Sequence, residues 1–205
     1  MLSWRRFVED ILKYKKMMLL SLVLFVAGMV IGTVNADFIT TLIAPQLESL
    51  REYSQELSQS AHPEWNFFVF IFLNNAVKSI VIIFAGALFG LLPIFFLIMN
   101  GMVIGYLLSA AATQGENLFD LIVKGLLPHG IIEIPAILIA AAFGLQFGYL
   151  VMKGLGEWGA RDLSERTVNW GAFLKTIVRA SIWITISLLI AAIIESTLTL
   201  YLVSL

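Results

Sequence analysis

The longest apolar tract in the chain runs from Phe67 to Ala112 and contains one charged residue, Lys78. A helix needs about 20 apolar residues to cross a bilayer, so a tract of 46 residues is too long for one crossing and sufficient for two. The segment GALFGLLP, residues 86–93, contains two glycines and a proline at which the chain can turn. The tract therefore predicts a membrane-spanning helical hairpin.

Three further apolar runs have the length of a spanning helix, and they cover residues 17–34, 134–152 and 176–203. The composition agrees with this interpretation, because 60% of the residues are hydrophobic, 13% are charged and the mean hydropathy is +0.92. The predicted fold is an all-α membrane protein with about five transmembrane helices. Residues 1–205 are expected to form a single polytopic domain.

The distribution of basic residues predicts the orientation of this bundle. Residues 1–16 and 153–179 contain five Lys or Arg each, whereas 35–66 and 113–127 contain one each. Five spans place the two basic segments on the same side, which the positive-inside rule assigns to the cytoplasm. We therefore expect a multi-pass protein of the cell membrane with a cytoplasmic N-terminus, a cytoplasmic loop over 153–175 and an extracytoplasmic C-terminus.

Two segments outside the spans have readable helical patterns. Residues 1–16 predict a cytoplasmic amphipathic helix on the membrane surface, and a simple basic anchor is the alternative. Its apolar face consists of Trp4, Phe7, Val8, Ile11 and Leu12. Residues 35–66 predict an extracytoplasmic helical loop with a seam at coiled-coil spacing, which could pair with its copy in a homodimer or lie on the bundle surface. The seam consists of Ile43, Leu47, Leu50, Ser54 and Leu57.

A third segment, 117–125, predicts a short half-helix before the fourth span. Asn117 can cap its start, Asp120 and Lys124 are spaced as an i,i+4 pair, and a glycine can end it. Pro135 follows, and inside a helix it would lose a backbone hydrogen bond at about 3 kcal/mol. We therefore expect the fourth span to start at Pro135, after a non-helical link over residues 126–134.

Six polar residues within the apolar tracts are candidates for a binding site or a polar core. An ionisable side chain at mid-membrane costs about 2.5–3.5 kcal/mol, so we expect Lys78 to have an acidic or carbonyl partner. Glu133 and Glu195 are the candidate carboxylates, and snorkelling of Lys78 is the alternative. The asparagines are expected to hydrogen-bond across helices, and they are Asn74, Asn75 and Asn100. Three G-x-x-x-G patterns, at 86–90, 101–105 and 144–148, predict close contacts between helices.

His129 and Glu133 lie four residues apart at the start of the fourth span. The leading interpretation is structural, since both side chains could satisfy the backbone of the predicted link. The alternative is a metal or ligand site formed with Glu195 or with a second subunit, because imidazole and carboxylate suit zinc. One histidine and one glutamate are too few for a catalytic zinc site, and the chain has no cysteine. We therefore expect no enzymatic activity and no cofactor, with zinc as the open alternative.

The tract FLNNAVKSIVIIFAGALFGLLPIFFLIMNGMVIG and the segment LLPHGIIEIPAILIAAAFGLQFG resemble the membrane domain of the stage II sporulation protein M family. The resemblance covers residues 67–150, and its most specific element is Pro-His-Gly-x-x-Glu-x-Pro. The namesake of the family is a membrane scaffold for cell-wall hydrolases during engulfment in sporulating bacteria. The resemblance therefore implies a non-enzymatic membrane scaffold or assembly protein, with the bilayer and a membrane or extracytoplasmic protein as partners.

A transporter or channel subunit for a small solute or ion is the alternative function. A half-helix followed by a span that starts at a proline is similar to the discontinuous helices of transporters. Nucleic acid is not an expected partner, because the net charge of -1 provides no basic surface in bulk.

Overall fold

The computed structural model describes residues 2–34, 39, 41, 48, 59, 62–115, 117–120, 122–123, 127–158 and 166–199. These residues form helices and turns, with no β-strand among them. The helices are α1 (Trp4–Lys13), α2 (Lys15–Val34), α3 (Pro63–Ala85), α4 (Leu91–Thr113), α5 (Leu127–Trp158) and α6 (Trp170–Ile194). A π-helical segment, Glu195–Thr199, continues α6.

The helices α2 to α6 are each long and apolar enough to cross a membrane. These five are the spanning candidates within the described ranges, which confirms the predicted fold class. The central helix is α5, since 56% of its apolar window is buried, compared with 33% or less in the other four. Its side chains Ala140 and Phe143 share a core with Ile177 and Ile184 of α6 and with Ile83 of α3.

The hairpin predicted from the long apolar tract is present. The helix α3 ends at Ala85, residues 86–90 form a turn, and α4 begins at Leu91. Gly90 has a φ of 76°, a left-handed conformation that glycine adopts without strain. Gly86 and Gly90 lie directly against the backbone of α5 at Gly144 and Gly148, so the turn is fixed to the central helix.

Glycines also bring the backbones of α2 and α4 into direct contact. Gly28 and Gly32 of α2 lie against the backbone of α4, and Gly101 and Gly105 lie against the backbone of α2. The predicted contact at 101–105 is confirmed, as are those at 86–90 and 144–148. Because lipid tails are as apolar as the side chains, such close packing is a main source of helix association in membranes.

The amphipathic helix α1 lies against the first half of α6. The ring of Phe7 is buried, and the ring centroid of Trp4 lies 4.9 Å from that of Trp183. The carboxylate of Asp10 forms an ion pair of 2.7 Å with Arg179. The Tyr14 ring contacts Phe173, which places the basic N-terminal segment at the same end of the bundle as the start of α6.

The predicted link over 126–134, and with it the start of the fourth span at Pro135, is wrong. The helix α5 begins at Leu127 and continues through Pro135 to Trp158. Pro135 is exposed on the helix surface, and inside the helix it lacks the backbone N–H that would bond to the carbonyl four residues earlier. A non-helical link would have left several backbone groups unpaired in an apolar medium, which is less favourable than one proline.

Two predicted segments are only partly described. Asn117 caps a single helical turn, Leu118–Asp120, by accepting a hydrogen bond from the Phe119 N–H at 3.1 Å. Lys124 and the glycine expected to end this half-helix lie outside the described residues, as does the predicted seam in the 35–66 loop.

The predicted loop over 153–175 is shorter than expected, because α5 continues to Trp158 and α6 begins at Trp170, where Asn169 caps it.

Candidate functional site

A groove with a volume of about 670 Å³ lies among α2, α3, α4 and α5. Three of the predicted polar residues line it: Lys78 from α3, Asn100 from α4 and Glu133 from α5. The other lining residues are almost all apolar, and they are Phe25, Val81, Ile82, Phe95, Phe96, Met99, Val103, Ile104, Gly130, Ile134 and Ile137. The helical hairpin thus brings together polar groups that are far apart in sequence.

Lys78 lies well inside its spanning helix. It lies seven positions before Ala85 and fifteen positions after Pro63, which correspond to about 10 Å and about 22 Å along the helix axis. Its side chain is exposed on the protein surface, and within the described part of the chain its ammonium makes no hydrogen bond or ion pair. The predicted direct ion pair with Glu133 or Glu195 is therefore not formed among these residues.

Glu133 is half-buried on α5 and lies within electrostatic range of two charged groups. Lys78 attracts it, whereas Glu195 at the end of α6 repels it. Lys78, Glu133 and Glu195 thus interact electrostatically, and they are contributed by α3, α5 and the segment that continues α6. Glu133 lines the same groove as Lys78, and Glu195 is not among the described residues that line it.

His129 lies one helical turn before Glu133, because α5 is helical at both positions. The side chain of His129 lies outside the described part of the chain. Elsewhere in the described residues, no three histidine, aspartate or glutamate side chains are arranged to hold a metal ion. The zinc site of His129 and Glu133 therefore stays a prediction.

Within the described part of the chain, the hydrogen bonds of the asparagines stay within one helix and do not link helices as predicted. The Asn100 amide donates a hydrogen bond of 2.8 Å to the Phe96 carbonyl of its own helix. The Asn74 amide donates to the Asn75 side chain at 3.4 Å, also within one helix. The amide oxygen of Asn100 has no hydrogen bond in the described ranges, so it remains available in the groove.

Two polar contacts between helices were missed by the sequence analysis. The Thr33 hydroxyl donates to the Gly105 carbonyl at 3.3 Å, and the Ser109 hydroxyl donates to the Thr33 carbonyl at 3.3 Å. A sequence signal was present, because Gly101, Gly105 and Ser109 continue one small-residue stripe at intervals of four. These bonds fix α2 to α4 and so hold one wall of the groove.

The ion pair of Asp10 and Arg179 was also missed. The side chains are 13% and 12% exposed, and the Thr176 hydroxyl donates a further bond of 3.4 Å to Asp10. The signal in the sequence was an acidic residue within a basic amphipathic segment and an arginine at the start of an apolar run. Their pairing required knowledge of which helix α1 packs against.

Taken together, the groove offers an ammonium, a carboxylate and an amide oxygen between apolar walls. Such a site suits an apolar helix that carries one polar side chain, or a small polar solute.

Comparisons with known proteins agree with the membrane fold. The model of the family described as "Stage II sporulation protein M" matches residues 21–200, a longer range than the predicted resemblance over 67–150. The chain is similar to the uncharacterized protein MJ0793 of Methanocaldococcus jannaschii, with 30% identity over 182 residues that cover 88% of this chain and 92% of that protein. No solved structure matches. Because the family model covers α2 to α6 and nearly the entire spanning bundle, the chain belongs to the stage II sporulation protein M family.

Proposed function

We propose that this chain is a non-enzymatic membrane scaffold or assembly protein, and that its groove docks a transmembrane helix of a partner protein. The observation that carries the proposal is Lys78, an exposed ammonium in a spanning helix without a hydrogen bond or ion pair in the described part of the chain. A charge in this position is costly unless a partner or water satisfies it. A partner helix that brings a carboxylate into the groove would supply the missing contact.

The apolar surface around Lys78 is compatible with such a helix. Val77, Val81 and Phe84 on α3 are 54%, 55% and 47% exposed, and Phe95 on α4 is 62% exposed. In a bilayer, lipid tails can cover apolar side chains of this kind as well as a protein can. The polar residues Lys78, Asn100 and Glu133 are therefore what would select a protein helix over lipid.

The walls of the groove are also built to keep their shape. The backbone contacts between α2 and α4 hold one side, and the contact of the 86–90 turn with Gly144 and Gly148 holds the other. A preformed groove loses little conformational entropy when it binds, which favours a docking role.

Site-specific photo-crosslinking in native membranes tests this proposal. A photoreactive residue at Val81, which lines the groove, is expected to crosslink to a discrete partner protein, and Lys78→Met is expected to abolish that product. Ile190 on α6 is the matched control, because it is also apolar and 47% exposed but does not line the groove. Lipid adducts alone at Val81 would overturn the docking role. A product that contains two copies of this chain would assign the groove to homodimer formation instead.

A transporter or channel subunit is the second candidate, and one observation favours it. Lys78, Asn100 and Glu133 line one groove within three spanning helices, and intramembrane ionisable residues often mark solute pathways. The span does not begin at Pro135, as the transport hypothesis assumed, since α5 is continuous from Leu127 through Pro135.

A flux assay separates the two functions. Purified protein in sealed vesicles would be assayed for flux of protons, sodium, potassium and small solutes, with Glu133→Gln as the variant. Flux that depends on Glu133 would replace the scaffold proposal, whereas vesicles without flux would support it.

A further inference from the structure

A second pocket, separate from the groove, lies where α5 ends and α6 begins. It has a volume of about 350 Å³. Its lining residues come from the last turns of α5 and from the segment that leads into α6, and they are Val151, Gly154, Leu155, Glu157, Trp158, Arg166, Val168 and Trp170. The Trp170 ring packs on Gly154, where an added Cβ would lie 3.0 Å from the indole. Val151, Leu155 and Trp158 provide an apolar wall that continues the surface of a spanning helix.

Glu157 fixes the shape of this pocket. Its carboxylate accepts hydrogen bonds from the Thr167 N–H at 2.8 Å, the Thr167 hydroxyl at 2.6 Å and the Val168 N–H at 3.3 Å. The ammonium of Lys153 lies 3.8 Å away on the preceding turn. The negative charge of Glu157 is thus compensated, and both of its oxygen atoms are occupied.

Arg166 lines the same pocket, and its charge, unlike that of Glu157, is not compensated by a described neighbour. Its side chain is exposed, and among the described residues its guanidinium makes no hydrogen bond or ion pair. The pocket therefore presents one available guanidinium beside the indole rings of Trp158 and Trp170. Guanidinium groups bind phosphate oxygens in bidentate geometry, and tryptophans concentrate at the level of lipid headgroups.

We propose that this pocket binds the phosphate headgroup of an anionic phospholipid. Arg166 would bind the phosphate, and the apolar wall formed by Val151, Leu155 and Trp158 would contact the upper acyl chain. A free phosphate ion would leave this wall uncovered, so the lipid is the better match to the lining. The inference does not depend on the scaffold proposal, because it concerns different residues at one end of the bundle.

The charge at this end of the bundle supports an anionic ligand. The contact of Tyr14 with Phe173 and that of Phe147 with Trp170 place the N-terminal segment and the pocket at the same end. Residues 1–16 and 153–179 hold five Lys or Arg residues each, and together these are ten of the thirteen in the chain. In the orientation predicted by the positive-inside rule, this end faces the cytoplasmic leaflet, whose anionic lipids attract basic segments.

Native mass spectrometry of the full chain in detergent tests the site. The protein would be equilibrated with phosphatidylglycerol, with phosphatidylcholine or with inorganic phosphate. Retention of phosphatidylglycerol, but not of the other two probes, is expected for the unmodified chain. Arg166→Gln is expected to lose the bound lipid, and Arg166→Lys to keep part of it because the charge remains.

Lys175→Gln is the matched control, since Lys175 is an exposed cation near the start of α6 that does not line the pocket. Loss of lipid to the same extent in Lys175→Gln and Arg166→Gln would overturn the site, because it would indicate general charge attraction. Equal retention of both lipids, or retention of inorganic phosphate in place of lipid, would also overturn it. Quenching of tryptophan fluorescence by brominated phosphatidylglycerol provides a second measurement, and Arg166→Gln is expected to reduce it.

Discussion

At the scale of single residues, the two acidic side chains of α1 make contrasting ion pairs. Asp10 and its partner Arg179 are nearly buried. In the other pair, the side chain of Glu9 is 57% exposed and that of Arg5 is 89% exposed. Removing one partner of a buried pair leaves an uncompensated charge, but an exposed pair is screened by water. Asp10 is therefore expected to determine how α1 is held, and Glu9 is not.

We predict that Asp10→Asn destabilises the protein by about 3 kcal/mol, because the nearly buried ion pair with Arg179 is broken. Glu9→Gln on the same helix is expected to change the free energy of unfolding by less than about 1 kcal/mol. Thermal unfolding in detergent measures both. Equal effects of the two substitutions would contradict the buried pair.

Substitution of Lys78, unlike that of Asp10, is not expected to destabilise the protein. A direct ion pair, as expected from the sequence, would make Lys78→Met destabilising by a few kcal/mol, because a buried carboxylate would lose its partner. In the structure, the ammonium is exposed and only within electrostatic range of Glu133. We therefore predict that Lys78→Met leaves the unfolding free energy unchanged or raises it, because it removes an ammonium from an apolar medium without breaking a direct ion pair. Thermal unfolding in detergent checks this, and a strong destabilisation would show that Lys78 pairs with a carboxylate within the folded chain.

The sequence identified which polar residues lie in the membrane but not how they are bonded. Lys78, Asn100 and Glu133 were recognised because polar residues are rare in apolar runs, and they line one groove. Their hydrogen bonds depend on helix rotation, which apolar periodicity does not define when all faces are apolar. For the same reason, the bond from Asn100 to its own helix could not be predicted.

At the scale of helices, hydropathy predicted the number of spanning helices correctly but predicted poorly the residues at which they begin and end. The five spans and the hairpin turn followed from the lengths of the apolar runs. The rule that proline ends a helix failed at Pro135, because it was derived for helices that compete with water for backbone hydrogen bonds. In a membrane, the alternative to a proline inside a helix is unpaired backbone, which changes the preference.

The close contact of α2 with α4 leads to a prediction at this scale. Gly105→Ala places a Cβ against the Met29 carbonyl, and relief of that overlap must separate the two backbones. We predict destabilisation by about 1–3 kcal/mol, measured by thermal unfolding in detergent. Gly156→Ala is the matched control, since it lies in α5 and an added Cβ would meet nothing within 4 Å. That substitution is expected to be neutral or to stabilise by about 0.5–1 kcal/mol, because alanine favours a helix more than glycine does.

At the scale of the whole molecule, one end of the bundle is rich in basic residues. The basic N-terminal segment, the pair of Asp10 with Arg179 and the pocket around Arg166 all lie where α6 begins. The helix α6 runs away from this end, so the segment Glu195–Thr199 that continues it lies toward the opposite end. Which end faces the cytoplasm follows from the positive-inside rule alone, and that assignment is a prediction.

The orientation can be measured with single cysteines, because the chain has none of its own. With the N-terminus in the cytoplasm, cysteine at Gln55 or Ser204 is expected to react with a membrane-impermeant thiol reagent in sealed cells, and cysteine at Ser164 is expected to react only after permeabilisation. The reaction after permeabilisation is the control that shows Ser164 to be accessible. Labelling of the cysteine at Ser164 in sealed cells, together with protection of the cysteine at Gln55, would show that the bundle has the opposite orientation. It would also place the Arg166 pocket in the outer leaflet, where its lipid ligand would have to be sought instead.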